Sequence, residues 1–164
     1  MLIDKTKEIK LTQGQVAVVD ICDYEELNQY KWHALKRPND RWYVARWDGK
    51  RTIVIHRVIM DCPEGLVVDH INHDGLDNRR VNLRICTRAQ NNMNRRPRKN
   101  MTSKYKGVSW CKTHKVWIAR ISKGGIDKNV GSFDCEIKAA HAYNDYVKEW
   151  HGEFGYLNVI EGGL

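Results

Sequence analysis

The chain is poor in several things at once. Its 164 residues hold three prolines and two phenylalanines, and the five cysteines (Cys22, Cys62, Cys86, Cys111 and Cys135) lie far apart with no C-x-x-C pair. An odd, unpaired set rules against a disulfide framework, and a zinc cage would want paired spacing. We expect reduced thiols in a cytosolic protein and no structural zinc. No apolar run approaches the roughly 18 residues that span a bilayer. The N-terminal MLIDKTKEIK is charged and lacks the apolar stretch of a signal peptide. No basic amphipathic helix with an aromatic face is visible, so a membrane is not expected as partner. No sustained heptads argue for a coiled coil, and a monomer or weak dimer is expected.

The most telling absence is acidic. From Arg79 to Lys123 there is no Asp or Glu, and the same window carries fourteen of the 28 Lys and Arg residues. The formal charge is +8, but its placement matters more than its total. A merely solvated surface mixes signs; a one-sign window of this length implies a polyanionic partner, and double-stranded DNA leads. What the chain does have is six Trp and seven Tyr, enough large side chains for ordered cores. Its length suits one medium domain or two small ones.

Along the chain, IKLTQGQVAVVD (9–20) reads as strand and DYEELNQYKW (23–32) as a short helix or turn. RWYVARWDGKRTIVIHRVIM carries two β-rich runs around Asp48-Gly49, a two-residue hairpin signal, and HRVIM begins a short helix. HDGLDN reads as a turn-rich loop. NLRICTRAQNNMN reads as a helix with Leu83 and Ala89 buried. MNRRPRKNMTSK (93–104) has too few apolar groups for a core; it reads as a tether or as a basic strap along phosphates through Arg95, Arg96, Arg98 and Lys99. Three β-like runs follow. Alternation in KVWIARIS puts Trp117, Ala119 and Ile121 on one face and Ile118, Arg120 and Ser122 on the other. CEIKAAHAYNDYVKEW (135–150) has helical spacing, with Ala139, Ala140, Tyr143, Val147 and Trp150 along one side. The fold class is α+β, the last part a three-stranded antiparallel sheet backed by one helix.

The chemistry concentrates in VVDHINHDGLDNRRVNLRICTRAQNN (67–92). Asp69 is a hard oxygen ligand suited to Mg²⁺. His70 is a base able to take a proton from water near neutral pH. Phosphodiester hydrolysis needs both, but an Asp-His pair also arises as ordinary structure, and the residues alone leave both readings open.

Read by offset, His70, Asn82 twelve residues on and Asn91 nine further resemble the HNH nuclease motif. HR at 56–57, LDNR at 76–79 and NLR at 82–84 extend the likeness to its homing-endonuclease branch. The resemblance implies a ββα-metal module in which two strands, a loop and a helix grip one divalent ion, Mg²⁺ or Mn²⁺ in its place, with no small-molecule cofactor. It implies His70 as general base, Asp69 and Asn91 as metal ligands, and Asn82 holding the loop and orienting the base through backbone hydrogen bonds. Asp77 and Asn78 are expected to stabilise the turn. Arg79, Arg80 and Arg84 are candidates for phosphate contact. His56, His73 and Asp74 stay open between site and scaffold.

YKGVSW, KVWIARI and the helix with HAYNDY resemble the APETALA-type, ethylene-response-factor-like DNA-binding domain, matched at Tyr105, Gly107, Ala119, Tyr143 and Asn158 among others. That likeness implies a sheet laid in the major groove, its outward positions including Lys106, Ser109, Arg120, Ser122 and Asn129. Plant members carry more Arg and Trp there, so their target does not transfer. Together the two modules resemble phage-type homing endonucleases, which would act in the host cytoplasm. The expected boundaries are 1–92 for the nuclease module, 93–104 for the linker and 105–160 for the reader. The rival expectation is a DNA-binding regulator carrying an inactive nuclease relic. Target sequence, and nicking against double-strand cutting, are not legible.

Overall fold

The computed structural model describes residues 5–38 and 41–160; the first four residues of the N-terminal segment discussed above lie outside this range. The chain divides between Thr87 and Arg88 into two compact units. No helix among the described residues is long and apolar enough to cross a membrane.

The first unit begins with an antiparallel pair, β1 (Thr6–Lys10) and β2 (Val16–Asp20), in register from Thr6 opposite Asp20 to Lys10 opposite Val16. The single strand expected over 9–20 is therefore broken. Gln13 and Gly14 both take positive φ (60° and 67°), and Leu11 N donates to Gln15 O across the turn. Period-two alternation buries Ala17 and Val19. Helix α1 (Ile21–Leu27) follows, and the Trp32 indole donates to its last carbonyl, Leu27 O, at 2.8 Å.

Strands β3 (His33–Arg37), β4 (Arg41–Trp47) and β5 (Thr52–Val54) form an antiparallel sheet in chain order. The connection at Asp48-Gly49 spans residues 48–51, because pairing ends at Trp47 opposite Thr52. Its four-residue length comes from the Asp48 carboxylate, which accepts the amides of Lys50 and Arg51 at 2.8 Å each. Helix α2 (Ile55–Ile59) then leads to β6 (Val67–His70), paired antiparallel with β7 (Leu83–Cys86). The helix expected from Asn82 onward thus starts later. Val67 and Val68 need a strand partner, and Leu83 to Cys86 supply it, with Leu83 and Cys86 buried. The core gathers Ile9, Val19, Leu27, Trp32, Val44, Ile55 and Leu83. Each fully buried aliphatic side chain contributes about 1.5–3 kcal/mol relative to exposure.

The second unit opens with helix α3 (Arg88–Met93), which buries no residue; the expected burial of Ala89 fails, and Ala89 is exposed. Residues 94–104 form no helix or strand, yet Asn94 and Ser103 are buried and Ser103 Oγ accepts from Tyr105 N. Strands β8 (Val108–Cys111), β9 (Val116–Lys123) and β10 (Ile126–Phe133) make an antiparallel sheet with β9 central. Helix α4 (Glu136–Trp150) lies on one face, burying Ala139, Ala140, Tyr143 and Val147 against Val108, Ala119 and Ile121. Two small alanines let the helix approach closely. Gly107 is required where it stands: its φ is +76°, and a Cβ there would sit 2.1 Å from the Tyr143 ring. Asn158 ties the tail back, accepting from Lys106 N at 2.7 Å and exchanging bonds with Asn144.

Candidate active site

The site is built at the end of β6. Arg57 on α2 donates to Leu66 O (2.8 Å), Cys62 O (3.0 Å) and Pro63 O (3.1 Å), which anchors the approach to that strand. Asp69 and His70 then end β6 side by side, both buried. The Asp69 Oδ2 accepts from Arg84 Nη2 (2.7 Å) and Nε (3.0 Å), a pair dictated by their direct opposition across the strands.

The loop from Ile71 to Asn82 is held almost wholly by its own polar side chains. Asn82 Oδ1 accepts from Asn72 N (3.0 Å), its Nδ2 donates to Asp77 O (2.8 Å), and its carbonyl accepts from Ile71 N (2.9 Å). Asn72 donates to Asp77 at 2.8 Å, and Asp74 Oδ1 accepts from Leu76 N at 3.0 Å. His73 takes φ 65° in the tight turn, with its amide donating to His70 O. Gly75 is needed for close approach, since a Cβ would lie 2.2 Å from Trp42 O. The loop is also sewn to β2: Val18 N donates to Leu76 O and Asn78 N donates to Val18 O.

The His70 ring sits in a small cage. Tyr43 and His56 meet it edge to face, with centroids 5.9 and 5.0 Å away, and Nε2 lies 3.2 Å from Asn78 Oδ1. Burial lowers the His70 pKa from its usual value, opposed by the Asn78 bond and the Asp69 charge. Burial thus favours the neutral form of the ring. His56 is more extreme: burial, then the charges of His70 and Arg57, push it down to about 3. Its Nδ1 is buried without a hydrogen-bond partner.

Asn82 knots the loop, and the side chain hydrogen-bonded to His70 Nε2 is Asn78, read from sequence as a turn residue. Nothing in the sequence marks Asn78 as fully buried (0% exposed). Arg79, Arg80 and Arg84 pair with Asp77, Asp23 and Asp69, carboxylates of the same unit, at 2.7 Å each. Asn91 lies half-buried on α3, in the second unit. Of the basic segment, Arg95, Arg96, Arg98 and Lys99 are exposed. Lys106 is not on an outer face: its Nζ donates to Met93 O at 2.5 Å, and burial lowers its pKa to about 8. Arg120 and Asn129 are exposed and directly opposite each other, on the sheet face away from α4. Ser122 shares that face and bonds Asp127; Ser109, half-buried, pairs with Ile118 on it.

Among the described residues no three His, Cys, Asp or Glu side chains converge as a closed metal cage. The donors present are a carboxylate and amides. That chemistry fits a hard ion such as Mg²⁺, which binds through one or two carboxylates and completes its shell with water and substrate phosphates.

Comparison with known proteins agrees with this geometry. Residues 55–93, which contain α2, β6, the loop, β7 and α3, match the HNH endonuclease family. An uncharacterized HNH endonuclease of Acanthamoeba polyphaga mimivirus is 31% identical over 154 residues, covering 91% of this chain and 78% of the relative. Protein 3.8 of Escherichia phage T7 is 33% identical over 92 residues, covering 56% of this chain and 75% of the relative. No solved structure matches the chain. The chain belongs to the HNH endonuclease family. Nucleases of this family generally use a divalent metal.

Proposed function

We propose that the chain is a metal-dependent DNA endonuclease of the homing type, cutting duplex DNA with His70 as general base. The observation that carries this reading is the cage around His70: a buried, neutral imidazole pinned by Asn78 immediately beside the Asp69 carboxylate. His70 takes the proton of the attacking water as its oxygen forms the new bond to phosphorus. The bond from phosphorus to the leaving oxygen breaks, and that oxygen is protonated from solvent. Asp69 and Asn91 are the residues that would hold the divalent ion, Mg²⁺ or Mn²⁺. When bound, the ion supplies positive charge for the scissile phosphate and the leaving oxygen. Asn82 keeps the loop in shape. Arg84, bonded to Asp69 through Oδ2, is a candidate phosphate contact beside that ligand.

The C-terminal sheet is the reader, an APETALA-type module following a basic segment in which Arg95, Arg96, Arg98 and Lys99 meet phosphates. Its exposed face, with Arg120, Asn129 and Ser122, supports that reading. One metal site has little base preference of its own, so a tethered reader supplies specificity and local concentration. The test is to incubate host genomic DNA with the protein and Mg²⁺ and to sequence the ends. Discrete, chelator-sensitive breaks are expected, and their strand count separates nicking from double-strand cutting. Sequence-selective binding without scission would instead establish a DNA-binding regulator with an inactive nuclease module.

A further inference from the structure

We infer that Asn78 is a positioning residue that fixes the tautomer of His70, placing the ring proton on Nε2 and making Nδ1 the atom that receives the proton from water. This deepens the proposed nuclease reading and rests on it. The geometry is directional. Asn78 Nδ2 donates to Gly75 O at 3.2 Å, so the amide is oriented with Oδ1 toward His70. Turning the amide over would set Oδ1 against the Gly75 carbonyl, two acceptors facing each other in a fully buried place. An amide oxygen only accepts, so His70 Nε2 must donate, and in a neutral imidazole the lone pair then belongs to Nδ1.

Three further contacts keep the arrangement from drifting. Asn78 N is bonded to Val18 O on β2, so the amide is anchored to the core and not merely to its loop. Gly75, the acceptor that orients the amide, is packed against the backbone at Trp42. Tyr43 and His56 set the plane of the imidazole from its sides. Asn78 acts through His70 and needs no contact with substrate. Its expected effect falls on the chemical step, as expected of a residue that selects the tautomer of a catalytic base.

The test uses the full chain labelled with ¹⁵N-histidine, without metal or DNA, and reads the two ring nitrogens of His70 by long-range proton–nitrogen NMR. Wild type is expected to show the Nε2–H form. Asn78→Leu is expected to lose that bias. The other six histidines report in the same spectrum whether a variant has folded. If Asn78→Leu does not fold, the wild-type spectrum still decides the tautomer. In cleavage assays Asn78→Leu should lower kcat about 100-fold with KM near wild type. An Nδ1–H form in wild-type protein would overturn the inference, as would Asn78→Leu leaving tautomer and kcat unchanged. If His70→Ala cut DNA as fast as wild type, the nuclease reading itself would fall, and the role of Asn78 in it.

Discussion

The two units use polar residues in opposite ways. Around Asp69–Arg84 the first unit turns acids, amides and arginines inward, where they bond one another and the backbone. On the open face of the β8–β9–β10 sheet the second unit turns Arg120, Ser122 and Asn129 outward. Buried polar groups must be satisfied, so the first arrangement builds rigid geometry, suited to holding a base within tenths of an ångström. Exposed polar groups cost little to leave in water and remain available to a partner. The difference predicts that damage to the first unit appears as lost stability and chemistry, and damage to the second face as lost binding alone.

Breaking the first arrangement at its ion pair should cost most. Asp69→Ala leaves the Arg84 guanidinium, whose side chain is 12% exposed, without its carboxylate. A loss of about 3 kcal/mol in chemical denaturation is expected. Asn82→Ala removes the bonds to Asn72 N and Asp77 O and should cost about 2 kcal/mol in the same measurement.

His56 gives the comparison a pH axis. Its folded pKa of about 3 lies below the unfolded value of about 6.5. The unfolded chain therefore binds more protons between these values. The stability of the first unit is full above about pH 6.5 and is lost as pH falls toward about 3. His56→Leu should flatten that acid limb by up to about 1.4 kcal/mol per pH unit, read from denaturation series between about pH 4 and 7. The smallest effect on stability is expected on the open sheet. Arg120→Ala with Asn129→Ala should leave unfolding within about 0.5 kcal/mol of wild type. The same pair should weaken duplex binding about tenfold and reduce its salt slope by about one.

How much of this was legible in the sequence varied with the physics of each element. The C-terminal sheet and helix could be read because alternation in 116–122 and the Ala139, Ala140, Tyr143, Val147 spacing are local periodicities. Residues 83–86 read as helix but are strand, because their state is decided by a distant partner, Val67 to His70, and not by their own pattern. Asp69 and His70 could be picked out by residue type and spacing. Asn78 reads as a turn former because Asn favours turns; that it also reaches His70 depends on how the loop folds back over β2. The ion pairs of the arginines at 79, 80 and 84 are not legible for a similar reason. Charge is visible in a sequence, whereas the carboxylates of Asp77, Asp23 and Asp69 that engage them become neighbours only in the fold.

The central claim is that His70 supplies chemistry and not affinity. The most direct measurement sets His70→Ala beside wild type on one duplex substrate, recording Mg²⁺-dependent cleavage and binding together. The account predicts cleavage at least about 100-fold slower with affinity within about twofold of wild type. Cleavage by His70→Ala at the wild-type rate would contradict it.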